Sequence, residues 1–251
     1  MSLVLFSGGL DSTVALYEAI EVAKHPELTL GTDKPEPVHA LTFHYGQRHI
    51  KELGAADRIA LMAGVQHRIV VIPPALMPNK ESSLLVGARL DVVRKYDHIP
   101  SNDEADKDPA FIPYRNLLFL TVAASYARSL ELHEVVTGLR GGFPDCTQAF
   151  ELAVFDTLAI SDPSFAIEIY SPCHDSRAET IGLAYSLPGC WQALAYSMTC
   201  FEGTEPPCGK CLPCLKRAEG FEQFGKPDPL LERLRVEQEQ GAYEQGAYRG
   251  P

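Results

Sequence analysis

Leu3-Val4-Leu5-Phe6-Ser7-Gly8-Gly9-Leu10-Asp11-Ser12 is the stretch from which the fold can be read. Four apolar residues that stop at a Gly-Gly turn fit a parallel strand buried on both faces. Over residues 10–24 the spacing becomes helical, with Leu10, Val14 and Tyr17 on one face. Working outward, the same alternation repeats. Strands are predicted over 38–43, 68–72, 134–137 and 166–170, and helices over 48–63, 116–129, 147–160 and 177–184. Strands alternating with helices at this spacing predict βαβ units and therefore an α/β domain built on a parallel sheet.

The turn itself carries chemistry. Gly8 and Gly9 allow backbone angles closed to other residues and leave room for a phosphate group. A helix that starts immediately afterwards offers unpaired N–H groups and the positive end of its dipole. Ser7, Ser12 and Thr13 add hydroxyl donors, and Leu10 completes the loop. Asp11 is a poor phosphate ligand but suits a helix cap or a ligand, direct or through water, for Mg²⁺. A plain helix start would explain a bare Gly-Gly turn. The whole hexapeptide 7–12, lying between the first strand and the first helix, favours nucleotide binding. Neither Gly-x-x-x-x-Gly-Lys nor Gly-x-Gly-x-x-Gly is present, so the loop is neither a Walker loop nor a dinucleotide fingerprint.

The rhythm breaks over 73–112, where prolines and a charged run predict a mobile insertion. Residues 1–187 are thus expected to form the α/β domain, and 188–235 a small cysteine module with a C-terminal helix. Over 236–251 the sequence Glu-Gln-Gly-Ala-Tyr occurs twice, and a flexible tail is expected. The net charge of −11 counts against charge-driven binding to nucleic acid. No apolar run is long enough to span a membrane, and the opening residues lack the pattern of a signal peptide. A cytoplasmic location is therefore expected.

Four of the seven cysteines cluster as Cys200-x7-Cys208-x2-Cys211-x2-Cys214. Four thiolates suit a tetrahedral Zn²⁺ and leave no open position, so the metal would be structural. Gly209 and Pro213 turn the chain between ligands, and Lys210, Lys216 and Arg217 bring positive charge towards the thiolates. Buried free thiols, an iron–sulfur cluster and a sulfur-carrying pair are the alternatives. Cys146, Cys173 and Cys190 read as small buried residues or as pocket lining.

The 7–12 loop is similar to the pyrophosphate loop of the ATP pyrophosphatase superfamily, whose members adenylate a substrate oxygen and release pyrophosphate. With the cysteine module, the chain resembles the 7-cyano-7-deazaguanine synthase family. Thr42-Phe43-His44-Tyr45-Gly46-Gln47-Arg48-His49, Ser82-Ser83-Leu84, Phe111-Ile112-Pro113-Tyr114-Arg115-Asn116, Thr137-Gly138 and Phe143-Pro144-Asp145-Cys146 match its segments. Thr199-Cys200-Phe201 and Cys208-Gly209-Lys210-Cys211 match its zinc end. The resemblance implies a Rossmann-like sheet of the adenine nucleotide alpha hydrolase type, with a zinc module. It implies that 7-carboxy-7-deazaguanine, ammonia and ATP, with Mg²⁺, give a nitrile in queuosine-type biosynthesis, catalysed by a homodimer.

On that resemblance, Ser7, Gly8, Gly9, Leu10, Asp11, Ser12 and Thr13 would hold ATP. Asp11, Arg115 and Arg48 would act in catalysis, and Asp145, His49 and Asn116 would meet the substrate. The chain departs from the family in four places, one of them near Cys190 and Trp191, where an apolar lead into the zinc site replaces the usual polar one. Tyr114 stands where the family has Gly, Arg177 stands where Lys is usual, and only Leu139-Arg140-Gly141-Gly142 separates Gly138 from Phe143. These departures keep open a paralogue that joins the same acid to another amine or to a protein. A tRNA-thiolation-type enzyme and a non-catalytic scaffold are the remaining readings.

Overall fold

The computed structural model describes residues 1–25, 37–73, 76, 82, 84–85, 111–141, 143–173 and 176–247. Most of the insertion expected over 73–112 lies outside the described residues.

Five parallel strands form one sheet in the order β3-β2-β1-β4-β5. They are β1 (Ser2–Leu5), β2 (Val38–His44), β3 (Gln66–Val71), β4 (Glu134–Val136) and β5 (Glu168–Tyr170). Leu3 pairs in register with His39 on one side and Val135 on the other, which places β1 at the centre. The helices are α1 (Leu10–Ala23), α2 (Lys51–Ala63), α3 (Arg115–Ser129), α4 (Gln148–Ser161) and α5 (Arg177–Ser186). They are followed by α6 (Cys190–Leu194), α7 (Leu212–Phe224) and α8 (Pro229–Ala247).

Side chains alternate across a strand, so β1 feeds two cores. Val4 and Phe6 pack with Leu10, Val14, Ile59, Ile181 and Leu194 on the face covered by α1, α2, α5 and α6. Leu3 packs with Leu41, Phe43, Leu120 and Ala127 on the α3 face. Burial on both faces explains why the central strands β1 and β2 read as mainly apolar runs, whereas the edge strand β3 is largely open to solvent. No helix among the described residues is long and apolar enough to cross a membrane.

Three expectations change. Helix α2 starts at Lys51 rather than at 48. The preceding residues are already engaged: Gln47 bridges to Leu85 and Arg48 donates its N–H to the Leu84 carbonyl at 2.7 Å. Residues 236–247, expected as a flexible tail, continue helix α8. Arg233–Glu237 and Arg235–Glu239 pairs at i,i+4 support that helix. Arg217, expected near the thiolates, instead pairs with Asp228 through Nε (2.6 Å) and Nη2 (2.8 Å). It also donates to Ser197 Oγ and the Leu194 carbonyl. Its charge thereby locks α7 to the approach of α8 and to the segment after α6.

Candidate active site at the sheet switch point

In a doubly wound sheet, ligands bind beyond the C-terminal ends of the strands, where the strand order reverses. Here that place lies between β1 and β4. A cavity of about 380 Å³ opens there, walled by the phosphate loop, the residues after β4, the end of β2 and the start of α3.

The phosphate loop is tied within itself. Ser12 Oγ accepts from the Ser7 N–H at 3.2 Å and lies 3.0 Å from Ser7 Oγ, and Ser7 Oγ accepts from the Gly9 N–H at 3.2 Å. Thr13 Oγ1 donates to the Gly9 carbonyl at 2.7 Å. Gly9 is the N-cap of α1, and no side chain caps the helix. Its first N–H groups therefore face the cavity end without a side-chain acceptor, the arrangement that suits a phosphate. Asp11, expected as a possible cap, sits inside the first turn instead.

Close backbone approaches build this corner. Gly8 has φ +79°, and a Cβ added there would lie 2.7 Å from Ala56 N and 2.8 Å from the Glu52 carbonyl oxygen. A Cβ added at Gly138 would lie 2.6 Å from Ser12 N. The phosphate loop is thus clasped between the first turns of α2 and the end of β4, and only glycine permits either contact.

Four cationic side chains line the cavity: Arg115, Arg140, Arg177 and Lys216. Arg177 Nη1 donates to Asp11 Oδ1 at 2.5 Å, and Arg140 Nε lies 3.7 Å from the same oxygen. Buried Asn116 places its Oδ1 3.3 Å from Arg115 Nε, while its amide donates to the Asp145 carbonyl at 3.0 Å. Burial pushes the Tyr45 hydroxyl up to about 12, so it remains a neutral neighbour of Arg115. Burial likewise lifts the Cys146 thiol to about 12, which makes it a poor nucleophile.

Ser7, Gly9, Leu10, Asp11, Ser12, His49, Arg115 and Asn116 are therefore brought to one cavity. Gly8 and Thr13 stand behind it as support, and Arg48 and Asp145 do not line it. Arg140, Arg177, Lys216 and Glu52 were not singled out for the site from sequence. Their convergence depends on loops and helices far apart in the chain, and no local motif marks it. In the sequence, Arg177 stood out only as a departure from the family's Lys.

At the other end, the sulfurs of Cys200, Cys208, Cys211 and Cys214 all lie within 4.8 Å of one another. A tetrahedron with Zn–S of about 2.3 Å separates its sulfurs by roughly 3.8 Å, so the group fits one such ion. A four-iron cluster would hold its cysteine sulfurs at the corners of a larger figure. The N–H groups of Lys210 and Cys211 both point to Cys208 Sγ at 3.4 Å, a turn made possible by Gly209 at φ +68°. The module touches the phosphate loop directly, since the Met198 N–H donates to the Gly8 carbonyl at 2.8 Å.

A parallel α/β sheet, a self-tied phosphate loop at its switch point and a four-cysteine knuckle against that loop define a nucleotide-site fold with an appendage whose four sulfurs have the spacing to hold a metal. The sequence model of the family described as "Queuosine biosynthesis protein QueC" matches residues 1–225, and this chain belongs to that family. It is 38% identical over 243 residues to a 7-cyano-7-deazaguanine synthase of Chromobacterium violaceum, covering 94% of this chain and 95% of that protein. It is 39% identical over 242 residues to a protein of the same name from Laribacter hongkongensis, covering 93% and 95%. Among solved structures, NMN synthetase from Francisella tularensis aligns over 100% of this chain and 88% of its own, with 13% identity and a TM-score of 0.44.

Proposed function

We propose that this protein uses ATP to convert 7-carboxy-7-deazaguanine and ammonia into 7-cyano-7-deazaguanine. The observation that carries the reading is the placement of four cationic side chains and an uncapped helix start around one cavity. The full-length likeness to synthases of that name supports the substrate.

A carboxylate is a poor electrophile because oxide is a poor leaving group. Transfer of AMP to the acid makes an acyl adenylate and releases pyrophosphate. Ammonia displaces AMP and leaves an amide. A second adenylation, on the amide oxygen, lets AMP leave again as the nitrile forms. The protein's task is to align acid and ATP and to stabilise charge on phosphorus. The loop 7–12 and the first turn of α1 would hold the departing pyrophosphate. Arg115, oriented by Asn116, would face the phosphate charge, with Arg177 and Arg140 beside it. Asp145 and Arg48, which stand outside the cavity wall, would act on the substrate only through its rim.

Mg²⁺ carried by ATP would neutralise phosphate charge, and Asp11 is the loop carboxylate that would meet it, in exchange for its contact with Arg177. Zn²⁺ held by the four cysteines would supply folding energy and no step of the reaction. The resemblance further supports a cytoplasmic homodimer.

The deciding experiment incubates the protein with ATP, the deazaguanine acid and ammonium and weighs the product. The nitrile mass with AMP is expected. A reaction that stops at the amide, or that gives a conjugate, would overturn the reading.

A further inference from the structure

Two carboxylates line a cavity otherwise built for anions. Asp11 is held by Arg177 and Arg140. Glu52 is turned to His49, with Oε2 3.2 Å from Nε2, and both side chains are enclosed, at 15% and 4% exposure. With the ring's hydrogen on Nε2, facing the carboxylate, the lone pair falls on Nδ1. That Nδ1 is buried without a hydrogen-bond partner, and so is Thr199 Oγ1 on another part of the cavity wall.

The chemistry of this corner is opposite to that of the rest of the wall. A negative carboxylate and an imidazole lone pair repel a phosphate or an acid. They suit a small cation that has only N–H groups to donate. The corner also stands against the phosphate loop, since a Cβ at Gly8 would meet the Glu52 carbonyl oxygen at 2.8 Å. Phe201, with its ring centroid 6.1 Å from that of His49, helps to close the outer side.

We propose that Glu52 and His49 form the ammonium site, with His49 Nδ1 as the base. This rests on the reading of the protein as an ammonia-using adenylating enzyme. Ammonium cannot attack while its nitrogen lone pair holds a proton. Glu52 attracts the cation, and one proton passes from nitrogen to His49 Nδ1. The freed lone pair forms the C–N bond to the acyl carbon. The bond from that carbon to the AMP oxygen breaks, and its electron pair stays on the phosphate. The new amide nitrogen then sheds one further proton to solvent. Glu52 holds the imidazolium that results, so the dyad follows the general pattern of a base oriented by a carboxylate.

The test separates the two half-reactions. Acid-dependent exchange of pyrophosphate into ATP reports adenylation, and ammonium-dependent product formation reports the second half. In E52Q and H49Q, any loss of exchange should be at least about tenfold smaller than the loss of ammonium-dependent product formation. E52Q should raise the KM for ammonium roughly tenfold or more, the loss expected of one charge-assisted contact. H49Q keeps an N–H donor for Glu52 but no base, so the ammonium-dependent kcat should fall by about a hundredfold. Hydroxylamine, uncharged at neutral pH, should restore turnover in H49Q and give a hydroxamate. If H49Q does not fold, E52Q carries the same test. An unchanged ammonium KM in E52Q, or equal losses in both half-reactions, would overturn the site. Absence of exchange in the unmodified protein would overturn the functional reading instead, and the ammonium site with it.

Discussion

Arg177 donates from Nη1 to Asp11 Oδ1 at 2.5 Å, which binds the start of α5 to the phosphate loop. Its stem is steered by a residue that never touches the cavity. A Cβ added at Gly220 in α7 would lie 2.1 Å from Arg177 Cγ and 2.9 Å from its Cβ. Gly220→Ala must therefore displace the guanidinium. A shift of about 1 Å in a positioning group can cost on the order of a hundredfold in rate. G220A is expected to lower kcat/KM for ATP by roughly tenfold or more, with AMP release as the readout. In an R177A background the same change should cost much less activity, because the guanidinium it displaces is gone, although the residue's Cβ remains in the way. Equal losses in both backgrounds would separate Gly220 from Arg177.

Gly138→Ala should be worse, because the obstruction is backbone. The added Cβ would stand 2.6 Å from Ser12 N and 2.9 Å from the Asp11 carbonyl carbon, where no rotamer relieves it. β4 and α1 must part, and the first N–H groups of α1 move with them. Loss of measurable ATP binding by calorimetry is expected, with destabilisation of about 1–3 kcal/mol in a denaturant melt. Normal ATP binding in G138A would show that the clasp between β4 and α1 is dispensable.

The four-cysteine group should carry one zinc per chain. Because Met198 N–H bonds the Gly8 carbonyl, removing the metal should loosen the phosphate loop as well as the module. Elemental analysis of the purified protein tests the first statement. Activity after chelation, and in Cys211→Ser, tests the second. Less than one zinc per two chains, or iron in its place, would overturn the zinc assignment. Unchanged pyrophosphate exchange after complete zinc removal would break the link to the loop.

The sheet was legible because burial on both faces writes itself as apolar runs, as in residues 3–6. The phosphate loop was legible because it is contiguous. The start of α2 was not, since what delays it is a pairing of Gln47 and Arg48 with Leu85 and Leu84, well away in the chain. Helix α8 was cut short in the reading because Gly241 and Gly246 lower helix propensity, whereas Arg233 and Arg235 with their i,i+4 partners support it. The cationic wall was largely invisible. Arg140 follows β4, Arg177 begins α5 and Lys216 lies in α7, and only the topology brings them together. The four cysteines were the reverse case, since chelation needs near neighbours and spacing alone marks them.

Tyr114 holds φ +62° at the N-cap of α3, beside Arg115. The left-handed region costs a side-chain-bearing residue about 1–2 kcal/mol. Tyr114 is 78% exposed, so little burial offsets that cost. Tyr114→Gly removes the strain but loosens the unfolded chain, an opposing effect of about 0.5–1 kcal/mol. A net gain of up to about 1 kcal/mol is expected, seen as a melting temperature raised by roughly 2–4 °C. A lower melting temperature would mean that the Tyr114 ring contributes contacts that outweigh its backbone strain.

Glu151 makes the stability of the protein depend on pH in a definite direction. It is 7% exposed in α4, and its Oε1 accepts from Thr137 Oγ1 at 2.7 Å, directly after β4. Burial raises its carboxyl above the ordinary value, while the Thr137 hydrogen bond opposes the rise. The folded state therefore holds its proton to a higher pH than the unfolded state does. Stability from this group is complete below the unfolded pKa and is lost as pH rises through the folded one. Glu151→Gln keeps an oxygen for Thr137 and removes the ionisation. Relative to the unmodified protein, E151Q should gain stability as pH rises from mildly acidic to neutral. Denaturant melts of both proteins across that range measure the difference. A difference that does not change with pH would show that Glu151 titrates alike in the folded and unfolded chains.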